Sequence, residues 1–142
     1  MRWQILVFLA CWVAGCAGPE HDADELALID EMNTYRAGLG VGALVPDDCL
    51  AGAAHAQAAA IGAMQAYKPG LPSDHRGFGG SDVIDRTRER GCPAWAEISA
   101  IAADPVDVWK SSAGHDAIMR DPAFHLVGVG LVGGVAIAIL AP

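Results

Sequence analysis

Apolar residues recur at helical spacing near the start of the chain. From about Asp24 onward they share one face of a predicted helix, formed by Leu28, Met32 and Tyr35. Glycines at positions 38 and 40 mark its end, because glycine is typical of the residues that follow a helix. This is the first element of the predicted domain.

A second, alanine-rich helix is predicted from Cys49 to about Tyr67. Asp47 or Asp48 is its expected N-cap, since an aspartate side chain accepts from the first free amides of a helix. Its apolar face carries Leu50, Ala54, Ile61 and Met64. His55 lies inside this helix, and we expect it to pack or to hydrogen-bond there.

Proline and glycine predict a loop over Lys68–Gly80, which contains His75. Ser81 then caps a predicted helix over Asp82–Arg90. The apolar stretch Trp95–Ala100 predicts a strand that contains Glu97.

The last part of the chain predicts one more helix and a hairpin. Asp104 and Pro105 open the helix, and Gly114 is expected to end it directly before His115. Two apolar strands, Leu126–Val132 and Val135–Leu140, flank a glycine pair typical of a hairpin turn. Helices followed by mixed strands predict an α+β layered fold with an antiparallel sheet.

The N-terminus predicts export and a lipid anchor. Residues 1–15 form a short apolar segment that ends in small residues, as a signal peptide does. Val13-Ala14-Gly15-Cys16 resembles a bacterial lipobox, in which the cysteine receives a diacylglyceryl group. The alternative is an ordinary signal with a chance cysteine. We expect residues 16–23 to be the lipidated Cys16 and a tether with a solvated His21, and residues 24–142 to be the domain.

The charge excludes one class of partner. A net charge of −8 without a basic cluster argues against nucleic-acid binding, because nothing neutralises phosphates. Contact with the membrane is therefore expected through the lipid anchor.

Two of the four cysteines are expected in the mature domain, because Cys11 lies in the signal segment and Cys16 is the expected lipid acceptor. The other two, Cys49 and Cys92, are expected to form a disulfide in an oxidising compartment. The alternative is two separate buried thiols.

Three residues carry candidate chemistry: His75, Glu97 and His115. Imidazole and carboxylate groups bind divalent metals or transfer protons. Their spacing by itself is not diagnostic, and two structural alternatives stay open: a buried hydrogen-bonding carboxylate at Glu97 and a helix-capping imidazole at His115.

The sequence also resembles a known family. The stretch from Trp109 to His115, then Asp121-Pro122-Ala123-Phe124 and Gly128-Val129-Gly130, is similar to the signature of the CAP (SCP-like) superfamily of cysteine-rich secretory proteins. The similarity extends to Met32–Arg36 and Leu50–Ala56, and covers about Leu26 to Leu140.

The resemblance implies a three-layer α-β-α sandwich with a small central antiparallel sheet. It implies a cleft lined by His75, Glu97, Ser112 and His115, in which the two histidines and Glu97 are candidate ligands of a divalent metal such as zinc. Two positions depart from the pattern: Ser112, where many members have glutamate, and Ile98, where asparagine usually follows the glutamate.

We therefore expect a membrane-anchored extracytoplasmic protein that binds a divalent metal, a small ligand or an envelope partner in this cleft. The alternative is a metal-dependent or acid–base hydrolase acting on an envelope peptide or polymer. In a bacterium with two membranes, Ala17 in place of aspartate after Cys16 favours the outer membrane, by analogy with other lipoproteins.

Overall fold

The computed structural model describes residues 21–67, 83–92 and 94–142. The signal segment, Cys16, His75 and Ser81 therefore lie outside the described residues. Along the chain the elements are α1 (Ala23–Gly38), β1 (Val45–Pro46), α2 (Asp48–Tyr67), α3 (Val83–Glu89), β2 (Ala96–Ile101), α4 (Pro105–Ser111), α5 (Ala113–Arg120), β3 (Leu126–Val132) and β4 (Val135–Ala141). Among these helices none is long and apolar enough to cross a membrane.

The described strands form a mixed sheet in the order β1-β3-β4-β2. The predicted hairpin is confirmed: β3 and β4 pair antiparallel, and β2 pairs antiparallel with β4 on its other side. The sequence did not predict β1, whose two residues pair parallel with Leu126 and Val127 at the start of β3. Such a short strand has no periodic pattern, and only its neighbour reveals it.

Two helical layers cover the sheet, and β4 is buried along its whole length. Ala136, Ala138 and Leu140 face a core shared with α1, α4 and α5. Residues on the opposite face, including Ile137 and Ile139, pack with α2. Because side chains of a strand alternate between faces, this pattern gives the predicted three-layer α-β-α sandwich.

Helix ends follow their capping residues. Asp22 caps α1 in a reciprocal capping box with Glu25, and Asp47 accepts from the Leu50 amide at the start of α2 at 2.8 Å. Asp104 accepts from the Asp107 amide at the start of α4 at 3.1 Å, as predicted. These side chains satisfy amides that have no partner inside the helix.

The predicted end of α4 at Gly114 is wrong. α4 ends at Ser111, Ser112 is extended with φ −101° and ψ 115°, and α5 begins at Ala113 with Gly114 inside it. One extended residue is enough to redirect the chain into a new helix, and this junction positions His115.

The predicted disulfide is confirmed. Cys49 in the first turn of α2 is bonded to Cys92, with their Cα atoms 5.8 Å apart. The bond ties the sheet-packed helix α2 to the segment between α3 and β2. That segment leads directly to Glu97.

Candidate functional site

Glu97 lies on β2 with 6% of its surface exposed. It pairs in register with Ile139, whose side chain faces the α2 layer, so the Glu97 side chain belongs to that layer. Ser99, two residues further along the strand, is also buried and on the same face. A carboxylate is stable in such a buried position when it is paired or hydrogen-bonded, and it is chemically distinct from the aliphatic residues of this face.

Ser112 and His115 lie at the junction of α4 and α5. The Ser112 amide donates to the Trp109 carbonyl at 3.1 Å, and its carbonyl accepts from the Asp116 amide at 2.8 Å. His115 is half-buried in the first turn of α5, not after the end of a helix as the sequence predicted. It lies four residues before the buried Met119, on the same face of α5.

The Glu97 side chain faces the α2 layer, and Ser112 and His115 lie in the opposite helical layer, so within the described residues the strand β2 is what connects them. α5 packs against β2, the strand that carries Glu97. β2 is the last strand in the order of the described sheet, so both helical layers can reach its outer edge. His75 lies outside the described residues, and the convergence of all four side chains stays a prediction. Among the described residues, no three His, Cys, Asp or Glu side chains are grouped to hold a metal ion.

Tyr35 links α1 to α5 beside His115. Its hydroxyl donates to Asp116 Oδ1 at 2.5 Å, and this hydrogen bond raises the pKa of Tyr35 and lowers the pKa of Asp116. Arg120 donates to the other oxygen of Asp116 at 3.1 Å. The Lys110 ammonium lies 5.7 Å from the centre of the Tyr35 ring. These contacts hold the first turn of α5, and with it His115, against α1.

A second polar cluster was missed by sequence reasoning. Glu25 is fully buried, with Oε1 2.6 Å from His55 Nε2 and 2.9 Å from the Leu131 amide, and with Oε2 accepting from the Asp22 amide at 2.9 Å. His55 is therefore a hydrogen-bonding residue, as expected.

The expectation of a solvated His21 is wrong. His21 is 4% exposed, and its Nε2 accepts from the Val129 amide at 3.2 Å. β1 pairs with the edge of β3 only at Leu126 and Val127. Further along the same edge, the Val129 amide donates a hydrogen bond to His21 and the Leu131 amide donates one to Glu25. The histidine is thus buried because it covers a strand edge, which would otherwise present unpaired amides. The aspartate–glutamate spacing of the capping box was the one sequence signal for this cluster.

Comparison with known proteins places this geometry in context. A model of the cysteine-rich secretory protein family, CAP, matches residues 29–135. A search of curated proteins found none that matches the chain.

Solved structures share the fold. An extracellular protein containing an SCP domain from Bacillus anthracis superposes with a TM-score of 0.70 at 17% identity, over 82% of this chain and 39% of that one. An outer surface protein from Borrelia burgdorferi gives 0.64 at 16% identity, over 83% and 92% of the two chains. A cysteine-rich secretory protein from Staphylococcus aureus gives 0.62 at 12% identity, over 83% and 38%. This chain thus spans well under half the length of two of these relatives.

Proposed function

The chain belongs to the cysteine-rich secretory protein family, and from this premise we propose that it is a lipid-anchored, extracytoplasmic binding module of a bacterial cell envelope. The Cys49–Cys92 disulfide supports export, because such bonds persist in oxidising compartments. The names of the structural relatives, an extracellular protein and an outer surface protein among them, support the same location. The resemblance of Val13-Ala14-Gly15-Cys16 to a lipobox supports the anchor.

The buried carboxylate of Glu97 is the observation that carries the binding role. It lies on a sheet face with the apolar core residues Ile137 and Ile139, where Ser99 is a second buried polar residue. An aliphatic residue there would serve the core without the polar partners that a buried carboxylate needs. Buried ionisable groups beside a cleft are often functional. We propose that Glu97 forms one wall of a cleft with His75, Ser112 and His115.

The chemistry of these side chains fits a divalent ion such as zinc. Two imidazoles and one carboxylate, from His75, His115 and Glu97, form a donor set that zinc accepts with one position left open. A bound ion would supply a Lewis acid that attracts an anionic or carbonyl group of a ligand. The backbone would fix the positions of two of these ligands, since Glu97 lies in β2 and His115 in the first turn of α5.

We expect purified wild-type protein to bind one zinc ion, measured by titration calorimetry and by metal content after dialysis. The double variant His75→Ala/His115→Ala should lose at least about tenfold in affinity, because two of three ligands are gone. Affinity should also fall below about pH 6, as the histidines become protonated.

His125→Ala is the matched control for the metal experiment, because His125 is exposed and its hydrogen bonds are made by the backbone: its amide donates to Ala141 and its carbonyl accepts from Val45. Equal zinc binding by the double variant and this control would remove the metal from the proposal. A folded double variant, checked by circular dichroism, makes that comparison valid.

We expect the Cys16→Ser variant, expressed in a bacterium, to lose its lipid and either appear in the soluble fraction or keep an uncleaved signal segment. The thiol at position 16 is the acceptor in a lipobox, and serine does not replace it. Membrane fractionation, detergent partitioning and intact mass would detect the change. Cys11→Ser is the control and should behave like wild type. Identical fractionation and mass for Cys16→Ser and wild type would contradict the anchor.

A further inference from the structure

A groove of about 480 Å³ lies between α1, the residues before α4 and the β3–β4 turn. We call it the α1–turn groove. One wall is α1, with Asp24, Ala27, Leu28 and Glu31 on one helix face, and the other wall is the segment Leu131–Ala136. Ala102, Ala103 and Pro105 complete the lining. None of the residues proposed for the cleft lines this groove, so it is a separate feature of the molecule.

The inside of the groove is mainly apolar and open. Leu28 and Leu131 contribute aliphatic surface, while Ala27 and the glycines at 133 and 134 leave space next to the backbone. These glycines have φ angles of 59° and 82°, the left-handed region that a tight turn requires. A slender chain can therefore lie along the groove in contact with both walls.

The rim of the groove is acidic. Asp24 and Glu31 are both exposed and seven residues apart on α1, which places them about 10 Å apart along the helix axis. The carboxylates of Asp104 and Asp107 add negative charge near Glu31. Partial burial and the fields of Asp104 and Asp107 raise the pKa of Glu31, while Lys110 lowers it. The Lys110 ammonium is held by Asp107 at 2.5 Å, so this lysine neutralises Asp107 first.

We propose that the α1–turn groove binds an extended basic peptide, with two Lys or Arg side chains at Asp24 and Glu31 and a small aliphatic side chain between them over Ala27 and Leu28. In a polyproline II segment, residues three apart lie on one side at a spacing of about 9 Å, which matches the two carboxylates. The net charge of −8 draws a cationic chain toward the surface. An anionic amphiphile would meet repulsion at both ends of the groove.

The test uses full-length protein in mild detergent and the fluorescently labelled peptide Lys-Pro-Val-Lys, acetylated and amidated at its ends. Fluorescence anisotropy should show saturable binding that weakens several-fold as salt rises, since exposed ion pairs are screened. Asp24→Asn/Glu31→Gln should weaken binding at least about tenfold. Ala27→Phe should weaken it comparably without any change of charge, because the ring fills the groove.

Asp30→Asn is the matched control, because Asp30 is exposed on α1 and does not line the groove. It should change affinity less than twofold. If it weakens binding as much as the double variant, the attraction is non-specific and the proposal is wrong. Unchanged binding by Ala27→Phe, equal binding of the peptide Glu-Pro-Val-Glu, or equal competition by free spermidine would each also overturn it.

Discussion

Gly128→Ala is expected to cost at least about 3 kcal/mol of the free energy of unfolding, more than a typical overpacked core. An alanine Cβ at this position would lie 2.0 Å from the Leu50 carbonyl carbon and 2.1 Å from the Ala51 amide nitrogen. Both are backbone atoms of α2, so no rotamer change relieves the clash. The whole helix must move away from β3, which opens the core between them.

Urea unfolding followed by circular dichroism would measure the effect. Gly130→Ala should behave like Gly128→Ala, since its Cβ would lie 2.4 Å from the His55 amide nitrogen. Gly62→Ala is the control from the same interface: its Cβ would meet the Val132 carbonyl at 3.7 Å, an ordinary contact. Inside a helix that change should be neutral or stabilise by up to about 1 kcal/mol. A Gly128→Ala midpoint equal to that of Gly62→Ala would refute the close approach of α2 to β3.

Arg36→Met is expected to destabilise the protein by about 3–5 kcal/mol, because four backbone carbonyls lose a charged donor and each buried polar group left without a partner costs about 1–3 kcal/mol. The guanidinium is fully buried and donates from Nε to Gly42 O at 2.7 Å, from Nη1 to Met119 O and Asp121 O at 2.7 and 3.1 Å, and from Nη2 to Phe124 O at 3.0 Å. Burial lowers the pKa of Arg36, yet arginine stays protonated in proteins. Methionine fills similar volume but leaves four carbonyls without this donor.

The same unfolding measurement separates charge from geometry. Arg36→Lys keeps the charge but lacks the planar fork, and it should fall between wild type and Arg36→Met. Arg120→Met is the exposed control, because its ion pair with Asp116 lies at the surface and such pairs contribute at most about 1 kcal/mol. If Arg36→Met is no more harmful than Arg120→Met, the buried guanidinium does not hold these segments together.

Much of the fold is determined by local sequence patterns. Asp104 and Pro105 opened a helix as expected, and the glycine pair at 133 and 134 formed the hairpin turn. The cysteine count predicted the bond between Cys49 and Cys92, and the family signature predicted the three layers. The helix and turn signals depend on residues that are close in sequence. The disulfide was predictable because only two cysteines were available to form it.

The candidate site was predicted less completely. Residue type indicated Glu97 and His115 as candidates, but the pattern did not show the extended Ser112 before a new helix, which places the half-buried His115 in the first turn of α5. The extended conformation of Ser112 depends on how α4 and α5 pack against β2, and the spacing of apolar residues along the chain does not show that packing. His75 and the convergence of the cleft stay predictions.

The sequence by itself determined most of the helices and strands and the family that the chain resembles, but it did not show β1 or the break between α4 and α5. Tertiary structure alone decided the environment of particular side chains. His21 is buried because β1 is too short to cover β3, and Arg36 is buried because three carbonyls from the C-terminal turn of α5 and the segment after it meet at its guanidinium. Such partners lie far apart in the chain, so their meeting depends on how complete elements pack and not on the pattern within any one of them.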